Sequence, residues 1–237
     1  MPMFTGLHPL WLVALVTLLA TLIARTLHGV SPSGAVAGGI VAFVLYAAAG
    51  LGAFILLMLL FILTWGATRL GYPRKQRLGT AEKKEGRTAS QVFANVGTAA
   101  VCAAAYRWHG NILFLLAMSS ALAEAAADTV SSELGQFFSQ TAFLVTTWKK
   151  VPAGTNGGVS LFGTLSGILA ATVITLTAVF IGLLPLQWLV FAIGAAIAAM
   201  FADSFLGAAL ERRGLLSNDG VNFLSTLLAA GIAYSLA

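Results

Sequence analysis

The sequence has very few charged residues for its length. Only 9% of its 237 residues are Asp, Glu, Lys or Arg, whereas soluble domains carry about 25%. Hydrophobic residues make up 59% of the chain, and they form long apolar runs of the length that crosses a bilayer. The composition therefore excludes a soluble globular protein and predicts an all-α, polytopic membrane helix bundle. We expect residues 1–237 to form a single integral-membrane domain.

Cysteine and histidine are also scarce. The single cysteine, Cys102, lies inside an apolar run, so neither an internal disulfide nor a cysteine-based metal site is available. The three histidines have no His-x-x-His or His-Glu-x-x-His spacing, which are the spacings of common histidine metal sites. Chemistry must then depend on carboxylates, lysine, arginine and a metal ion. This set favours phosphoryl transfer over hydrolysis.

About eight apolar runs are long enough to be transmembrane helices. They cover residues 9–25, 34–49, 52–69, 90–106, 111–130, 159–181, 186–210 and 220–236. A very short turn at 50–52 is expected to join the second and third runs. The first run could instead be a signal peptide, but no Lys or Arg precedes it and no clear cleavage site follows before Arg25. Eight spans place both termini outside, with cytoplasmic loops at about 70–89, 131–158 and 211–219.

The charges are distributed asymmetrically between the two sets of loops. Of the 13 Lys and Arg residues, all except Arg107 fall on one side, which the positive-inside rule makes cytoplasmic. The carboxylates lie in or beside the cytoplasmic loops, or in the cytoplasmic halves of the predicted spans. Because a channel or transporter needs polar groups through both leaflets, this asymmetry favours an enzyme with a cytoplasmic active site, in a bacterial or archaeal plasma membrane. The net charge of +5 follows from topology, and no nucleic acid is expected.

Carboxylates inside the predicted spans form the first candidate site. Glu124 and Asp128 are four residues apart and share a helix face, while Asp203, Gly207 and Glu211 form a second stripe. An ionised side chain inside a span costs about 2.5–3.5 kcal/mol, unless it is paired, protonated or bound to a metal. Hydrogen bonding between helices is the plain alternative. The functional interpretation is a Mg²⁺ site, since this ion prefers oxygen ligands and accompanies phosphates.

The segment KKVPAGTNGGVS, residues 149–160, precedes the sixth predicted span. It lacks the Gly-Lys-[Ser/Thr] ending of a Walker A loop, but its glycines let backbone amides approach an anion at a helix N-terminus. Lys149 and Lys150 add positive charge just before these glycines. The residues expected to bind phosphate here are Gly154, Thr155, Asn156, Gly157, Gly158 and Ser160. The alternative interpretation is an ordinary capped helix start after a turn.

Basic and amide side chains elsewhere complete the set of candidates. Arg74, Lys75 and Arg77 are interpreted as topology signals or as contacts with anionic lipid. By contrast, the segment EKKEGR abuts the fourth span directly, so its cations could clamp phosphate groups. The further binding candidates are Lys83, Lys84 and Arg87 from this segment, together with Asn95, Ser132, Asn218 and Asn222.

Five segments of the chain resemble one known family. EGRTASQVFAN, AAADTVSSELG, KKVPAGTNGGVSLFGTLSG, ADSFLGAALERRG and NDGVNFLST are similar to motifs of the integral-membrane family that contains plant phytyl-phosphate kinase. The resemblance extends from about residue 31 to residue 226. A much weaker similarity connects the chain to phytol kinase, dolichol kinase and CDP-diacylglycerol synthase. The resemblance implies transfer of a phosphoryl group from a nucleoside triphosphate, CTP or similar, to an isoprenyl monophosphate, which gives the diphosphate.

The resemblance also implies roles for individual residues. Asp128, Glu133 and Asp203 would hold Mg²⁺, and Asp128, Asp203 and Lys149 would be catalytic. Lys83, Arg87 and Lys149 would bind the triphosphate, while the amides of residues 156–158 cradle the transferred group. The expected partners are the lipid bilayer, the isoprenyl phosphate and the nucleotide, and a homodimer is compatible with the sequence. The alternatives are a CTP-dependent cytidylyltransferase acting on a lipid phosphate, and a transporter of phosphate or lipid phosphate with broken helices.

Overall fold

A computed structural model describes residues 8–236. In this range the chain forms a helix bundle with one small sheet at one end. The helices are α1 (Leu10–Thr26), α2 (Pro32–Arg69), α3 (Tyr72–Leu78), α4 (Ala89–His109), α5 (Leu113–Phe138), α6 (Leu161–Phe180), α7 (Leu189–Ala209) and α8 (Asn218–Leu236). Short 3₁₀ turns at Leu186–Trp188 and Glu211–Arg213 precede and follow α7. The predicted all-α membrane bundle is confirmed.

Helices occur at each of the predicted spans. By length and apolar composition, α2, α5, α6 and the segment Leu186–Arg213 could each cross a membrane, and α1 is a shorter apolar helix. The helices α4 and α8 occupy the predicted fourth and eighth spans. Their composition is more polar because they carry Ser, Thr and Asn side chains. The number of crossings and the side of the termini stay predictions.

The long helix α2 is folded back on itself at Gly50. This residue has φ 82° and ψ −176°, a conformation that only glycine adopts readily. A straight helix of 38 residues would separate its ends by about 57 Å. Instead, Arg69 at its end donates hydrogen bonds to the carbonyls of Leu27 at 2.9 Å and His28 at 3.3 Å, just before its start. The two halves are therefore antiparallel, with the reversal inside the predicted turn.

The centre of the bundle is α5, which is buried on nearly all sides between α2, α4, α6, α7 and α8. Its closest neighbour is α6, because small residues line their contact. A Cβ atom at Gly163 would lie 2.7 Å from the Ser131 carbonyl, and one at Gly167 would lie 2.9 Å from that of Ala127. Small residues of this kind let membrane helices approach closely. The contact brings the start of α6 beside Asp128 on α5.

The predicted loop over 131–158 contains regular structure that the sequence interpretation did not include. First, α5 continues to Phe138. Three short strands follow, β1 (Thr141–Leu144), β2 (Lys150–Pro152) and β3 (Gly158–Val159), which form an antiparallel sheet in the order β2-β1-β3. Strands this short show too few alternations to give a periodic sequence signal. The sheet presents the glycine-rich turn between β2 and β3 to the end of the bundle.

The basic residues of α3 have structural roles. The Lys75 side chain is 1% exposed, and its ammonium group donates to the carbonyls of Ala67 at 2.8 Å and Thr68 at 3.0 Å, which end α2. It also pairs with Glu133 at 2.5 Å. Arg74 donates to carbonyls at the end of α5. These two cations cap helix C-termini, a role that their interpretation as topology signals or as contacts with anionic lipid did not include.

Candidate phosphate-binding site

A polar cavity of about 380 Å³ lies at the end of the bundle that carries the sheet. This volume falls in the range of small-molecule sites. Its walls come from α5, the glycine-rich turn, the start of α6, the end of α7 and the start of α8. The polar side chains that line it are Thr80, Asp128, Ser131, Ser132, Gln136, Thr155, Asn156, Ser160, Thr164, Asp203, Ser204, Glu211 and Asn218. We call it the polar cavity.

The glycine-rich turn forms one wall, and it is held in place by its own hydrogen bonds. The Thr155 hydroxyl donates to the Pro152 carbonyl at 2.7 Å, and the Gly158 amide donates to the Thr155 carbonyl at 2.8 Å. Ser160 caps α6, accepting from the Gly163 amide at 3.2 Å. Within residues 8–236, the amides of Asn156 and Gly157 have no hydrogen-bond partner. Free amides before a helix N-terminus are suited to bind an anion.

Gly157 allows this turn to lie directly against α7. Its φ is +74°, and an added Cβ atom would overlap the Ala208 side chain and lie 2.5 Å from the Ala208 backbone nitrogen. Because that nitrogen belongs to a helix, it cannot move aside as a flexible side chain could. Gly207 offers no side chain either, and its position faces the Gly157 amide. The close approach brings the free amides within one cavity with Asp203.

Gly157→Ala is expected to lower the thermal unfolding midpoint in detergent. The matched control is Gly214→Ala, which has a similar φ of +70° but no atom within 4 Å of the added Cβ. The control should lose about 1–2 kcal/mol for the left-handed conformation alone. Gly157→Ala should lose clearly more and make the turn susceptible to proteolysis. Equal losses in the two variants would contradict the packing of the turn on α7.

Two carboxylates from different helices meet in the polar cavity. Asp128 of α5 and Asp203 of α7 both line it. Asp203 is 9% exposed, and its Oδ2 atom has no partner among the described residues. Glu124, one turn before Asp128 on α5, is buried, and its Oε1 atom has no partner among the described residues either. Such a concentration of buried acid is unfavourable without a counter-charge.

The sequence interpretation placed Glu124 and Glu211 in the two acidic stripes but gave neither of them a catalytic, binding or metal role. Glu211 lines the cavity beside Asn218, and Glu124 lies behind it. Their helical spacing from Asp128 and Asp203 was recognised, and it was the signal that could have selected them. What the spacing does not reveal is that α5 and α7 turn these faces toward each other.

The predicted magnesium ligands are only partly brought together. Glu133 points away from the polar cavity, since its carboxylate accepts from Thr68 at 3.0 Å and pairs with Lys75. Among residues 8–236, no group of three or more Asp, Glu, His or Cys side chains could hold a metal ion. The assignment of Glu133 is therefore corrected: it is a structural partner of Lys75.

Asp128 and Asp203 alone still fit a Mg²⁺ ion that is also bound to a substrate phosphate. This ion commonly binds through one or two carboxylates and takes its other ligands from substrate phosphates and water. The unpartnered Asp203 Oδ2 atom is an available oxygen ligand. The donor set thus fits an ion that arrives with a phosphate, and does not fit a site built by protein ligands alone.

The predicted cations do not line the polar cavity. Lys149 is exposed on the turn between β1 and β2, and Lys84 is exposed on the loop before α4; neither lines this cavity or the larger one described next. Lys83 and Arg87 line that second cavity instead, together with Asn95. Asn222 lines neither of the two, and its Oδ1 atom is buried. Over the described part of the chain, no Lys or Arg lines the polar cavity, so the expected convergence of cations and amides in one pocket is not observed.

The remaining predicted residues lie together in the polar cavity. This set comprises Asp128, Ser132, Gly154, Thr155, Asn156, Gly157, Gly158, Ser160, Asp203 and Asn218. They come from segments up to 90 residues apart along the chain. A cavity with free amides, hydroxyls and two facing carboxylates can bind a phosphate together with a divalent cation.

Comparison with known proteins places the chain among membrane proteins. A family described as integral membrane protein DUF92 matches residues 15–230. The chloroplast protein VTE6 of Arabidopsis thaliana is 32% identical over 214 residues, which are 86% of this chain and 64% of that protein. An uncharacterised membrane protein of Synechocystis is 31% identical over 198 residues, 81% of this chain and 77% of that protein. An uncharacterised membrane protein of Methanocaldococcus jannaschii is 33% identical over 195 residues, 82% of this chain and 80% of that protein. No solved structure matches the chain.

Proposed function

The chain belongs to the integral membrane protein family DUF92, and from this premise we propose that it is a membrane-embedded kinase. It transfers the terminal phosphoryl group of a nucleoside triphosphate, CTP or similar, to an isoprenyl monophosphate of the phytyl phosphate type. The motif resemblance to the family of plant phytyl-phosphate kinase supports this reaction. The observation that carries the proposal is the polar cavity, where free amides of the glycine-rich turn and the carboxylates of Asp128 and Asp203 line one space.

The proposed step forms one phosphorus–oxygen bond and breaks another. An oxygen of the acceptor phosphate attacks the terminal phosphorus of the nucleotide. The bond from that phosphorus to the bridging oxygen breaks, and the nucleoside diphosphate leaves with the electron pair. Since the acceptor phosphate is already ionised, no general base is required.

The residues of the polar cavity would bind and orient the nucleotide. The amides of Asn156 and Gly157 donate to phosphate oxygens, as do the hydroxyls of Ser132 and Ser160. Asp128 and Asp203 would hold Mg²⁺, which when bound offsets negative charge on the phosphates. Because the cavity is lined by carboxylates and by no described Lys or Arg, it would repel a triphosphate that carries no metal ion. Nucleotide and ion are therefore expected to bind together.

Labelled nucleotide tests the reaction directly. Purified protein in lipid nanodiscs is incubated with phytyl, geranylgeranyl or farnesyl monophosphate and with CTP or ATP, labelled at the α or the γ phosphate. We expect γ-label in the lipid product and none from the α position, and no product without a divalent cation. Transfer of α-label would instead indicate a cytidylyltransferase. Absence of any labelled lipid would contradict an enzyme and favour the transporter.

A further inference from the structure

A second cavity of about 510 Å³ lies between α1, the two halves of α2 and the start of α4. Its walls are mainly apolar, with Ala20, Val41, Leu57, Leu60 and Phe61 among the lining residues. The reversal of α2 at Gly50 creates it, because the two antiparallel halves supply facing walls. We call it the apolar cavity.

The charged residues of the apolar cavity come from the chain segments at its sheet-side end. Three cations and one carboxylate line it: Arg69, Lys83, Arg87 and Glu82. The Arg69 guanidinium donates to backbone carbonyls, and the Glu82 carboxylate accepts a hydrogen bond from the side-chain amide of Gln91 at 3.1 Å. The Lys83 ammonium group has no hydrogen-bond partner within the described range 8–236. This end of the cavity therefore carries an excess positive charge with donors left to bind an anion.

Arg87 connects the apolar cavity to the polar one. Its guanidinium donates to the Thr129 hydroxyl of α5 at 3.2 Å, and Thr129 directly follows Asp128, which lines the polar cavity. Its backbone is fixed by hydrogen bonds to Gly29 at 3.1 Å and Ser31 at 2.9 Å. A phosphate bound at Arg87 would therefore lie beside the proposed nucleotide site.

We propose that the apolar cavity holds the hydrocarbon tail of the acceptor lipid, with the phosphate head bound by Lys83 and Arg87. This inference rests on the proposed function, and it divides the two substrates between two cavities, with Arg87 of the apolar cavity bonded to Thr129 on α5. Apolar walls alone would accept any lipid chain. The two cations favour a lipid with an anionic head. Because no described Lys or Arg lines the polar cavity, the doubly charged acceptor phosphate is better matched by Arg87.

Gly38 gives a direct test, because it lines the apolar cavity and an added Cβ atom would meet nothing within 4 Å. In Gly38→Leu the new side chain should fill the space of the tail. The matched control is Gly194→Leu on α7, an exposed site where an added Cβ atom also meets nothing within 4 Å. Leucine favours helix over glycine, so both variants should fold, and thermal unfolding checks this.

The probe is a geranylgeranyl monophosphate that carries a photoreactive diazirine on its tail. It is applied without nucleotide to protein in phosphatidylcholine nanodiscs, and labelled peptides are mapped. We expect labels in the segments that line the apolar cavity, residues 20–69 and 82–96, and competition by geranylgeranyl monophosphate, but much weaker competition by geranylgeraniol. Gly38→Leu should reduce the competed labelling at least tenfold and Gly194→Leu should not. Arg87→Gln should weaken binding about tenfold or more, through loss of a charge-assisted hydrogen bond.

Two results would overturn the inference. One is labelling spread over lipid-exposed faces without competition, which would indicate bilayer lipid only. The other is competed labelling that maps to peptides outside residues 20–69 and 82–96 and is unaffected by Gly38→Leu. Failure of the proposed function is distinguishable, since the labelling needs no nucleotide. If the label maps as expected but no γ-phosphate is ever transferred, the tail site stands and the kinase assignment falls.

Discussion

Asp128→Asn and Asp203→Asn are each expected to lower turnover by about 10³-fold, with the protein still folded. Asparagine keeps the shape of aspartate but removes the negative charge that would bind a divalent cation. Loss of such charge stabilisation in the transition state costs several kcal/mol, and each 1.36 kcal/mol is tenfold in rate. The measurement is initial rate of γ-label transfer at saturating nucleotide and Mg²⁺.

The stability of the Asp203→Asn variant should not fall, although its turnover does. The Asp203 Oδ2 atom is buried without a partner among the described residues, so an uncharged amide there removes a desolvation cost. We expect the unfolding midpoint of this variant to stay the same or rise. A residue that served only as hydrogen-bonded contact between helices would lose stability instead.

The matched control for both variants is Asp219→Asn. Asp219 lies at the start of α8 and accepts a hydrogen bond from Ser90, outside the polar cavity. The initial rate of γ-label transfer by the Asp219→Asn variant should remain within a few-fold of that of the unmodified protein. If Asp128→Asn or Asp203→Asn retained near-normal activity with Mg²⁺, the metal-binding role of that residue would be wrong.

Lys75→Met is expected to lower the free energy of unfolding by about 3–5 kcal/mol, the cost of breaking a buried ion pair by removing one partner. The change leaves the Glu133 carboxylate, which is 14% exposed, without its cation. It also leaves the carbonyls of Ala67 and Thr68 without the donor that caps α2. Denaturant unfolding in detergent measures the loss.

Three companion variants identify the cause of that loss. Arg77→Met lies on the same short helix but is exposed, and it should change stability by no more than about 0.5 kcal/mol. The double variant Lys75→Met, Glu133→Leu should recover much of the lost stability, because no unpaired charge remains. Glu133→Gln should be less stable yet keep its activity per folded molecule. Loss of activity without loss of stability in Glu133→Gln would restore Glu133 as a metal ligand.

Much of the fold could be predicted because the bilayer restricts the options. A chain with 9% charge and apolar runs of span length must satisfy its backbone within helices. The turn at 50–52 could be placed since two glycines interrupt one long apolar run. The strands β1, β2 and β3 could not be predicted, because pairs such as Phe143 with Lys150 and Phe143 with Val159 depend on contacts across the loop and not on local pattern.

The residue types of the site were predicted better than their grouping. Asp128 and Asp203 were selected because a carboxylate inside a span is costly unless it is paired, protonated or bound to a metal. The turn at Asn156 was selected because its glycines let backbone amides approach an anion. The sequence did not distinguish Glu133 from Asp128, although one faces Lys75 and the other faces the polar cavity. Five residues separate them, which is enough to turn their side chains to different neighbours on one helix.

The amino-acid sequence by itself determined the membrane bundle, the family and the chemical character of one end of the molecule, because these follow from composition and from local motifs. Only the tertiary structure decided that carboxylates and free amides share one cavity while Lys83 and Arg87 line another. The physical reason is that helix rotation and the reversal of α2 set which side chains meet, and both depend on packing between segments far apart in the chain.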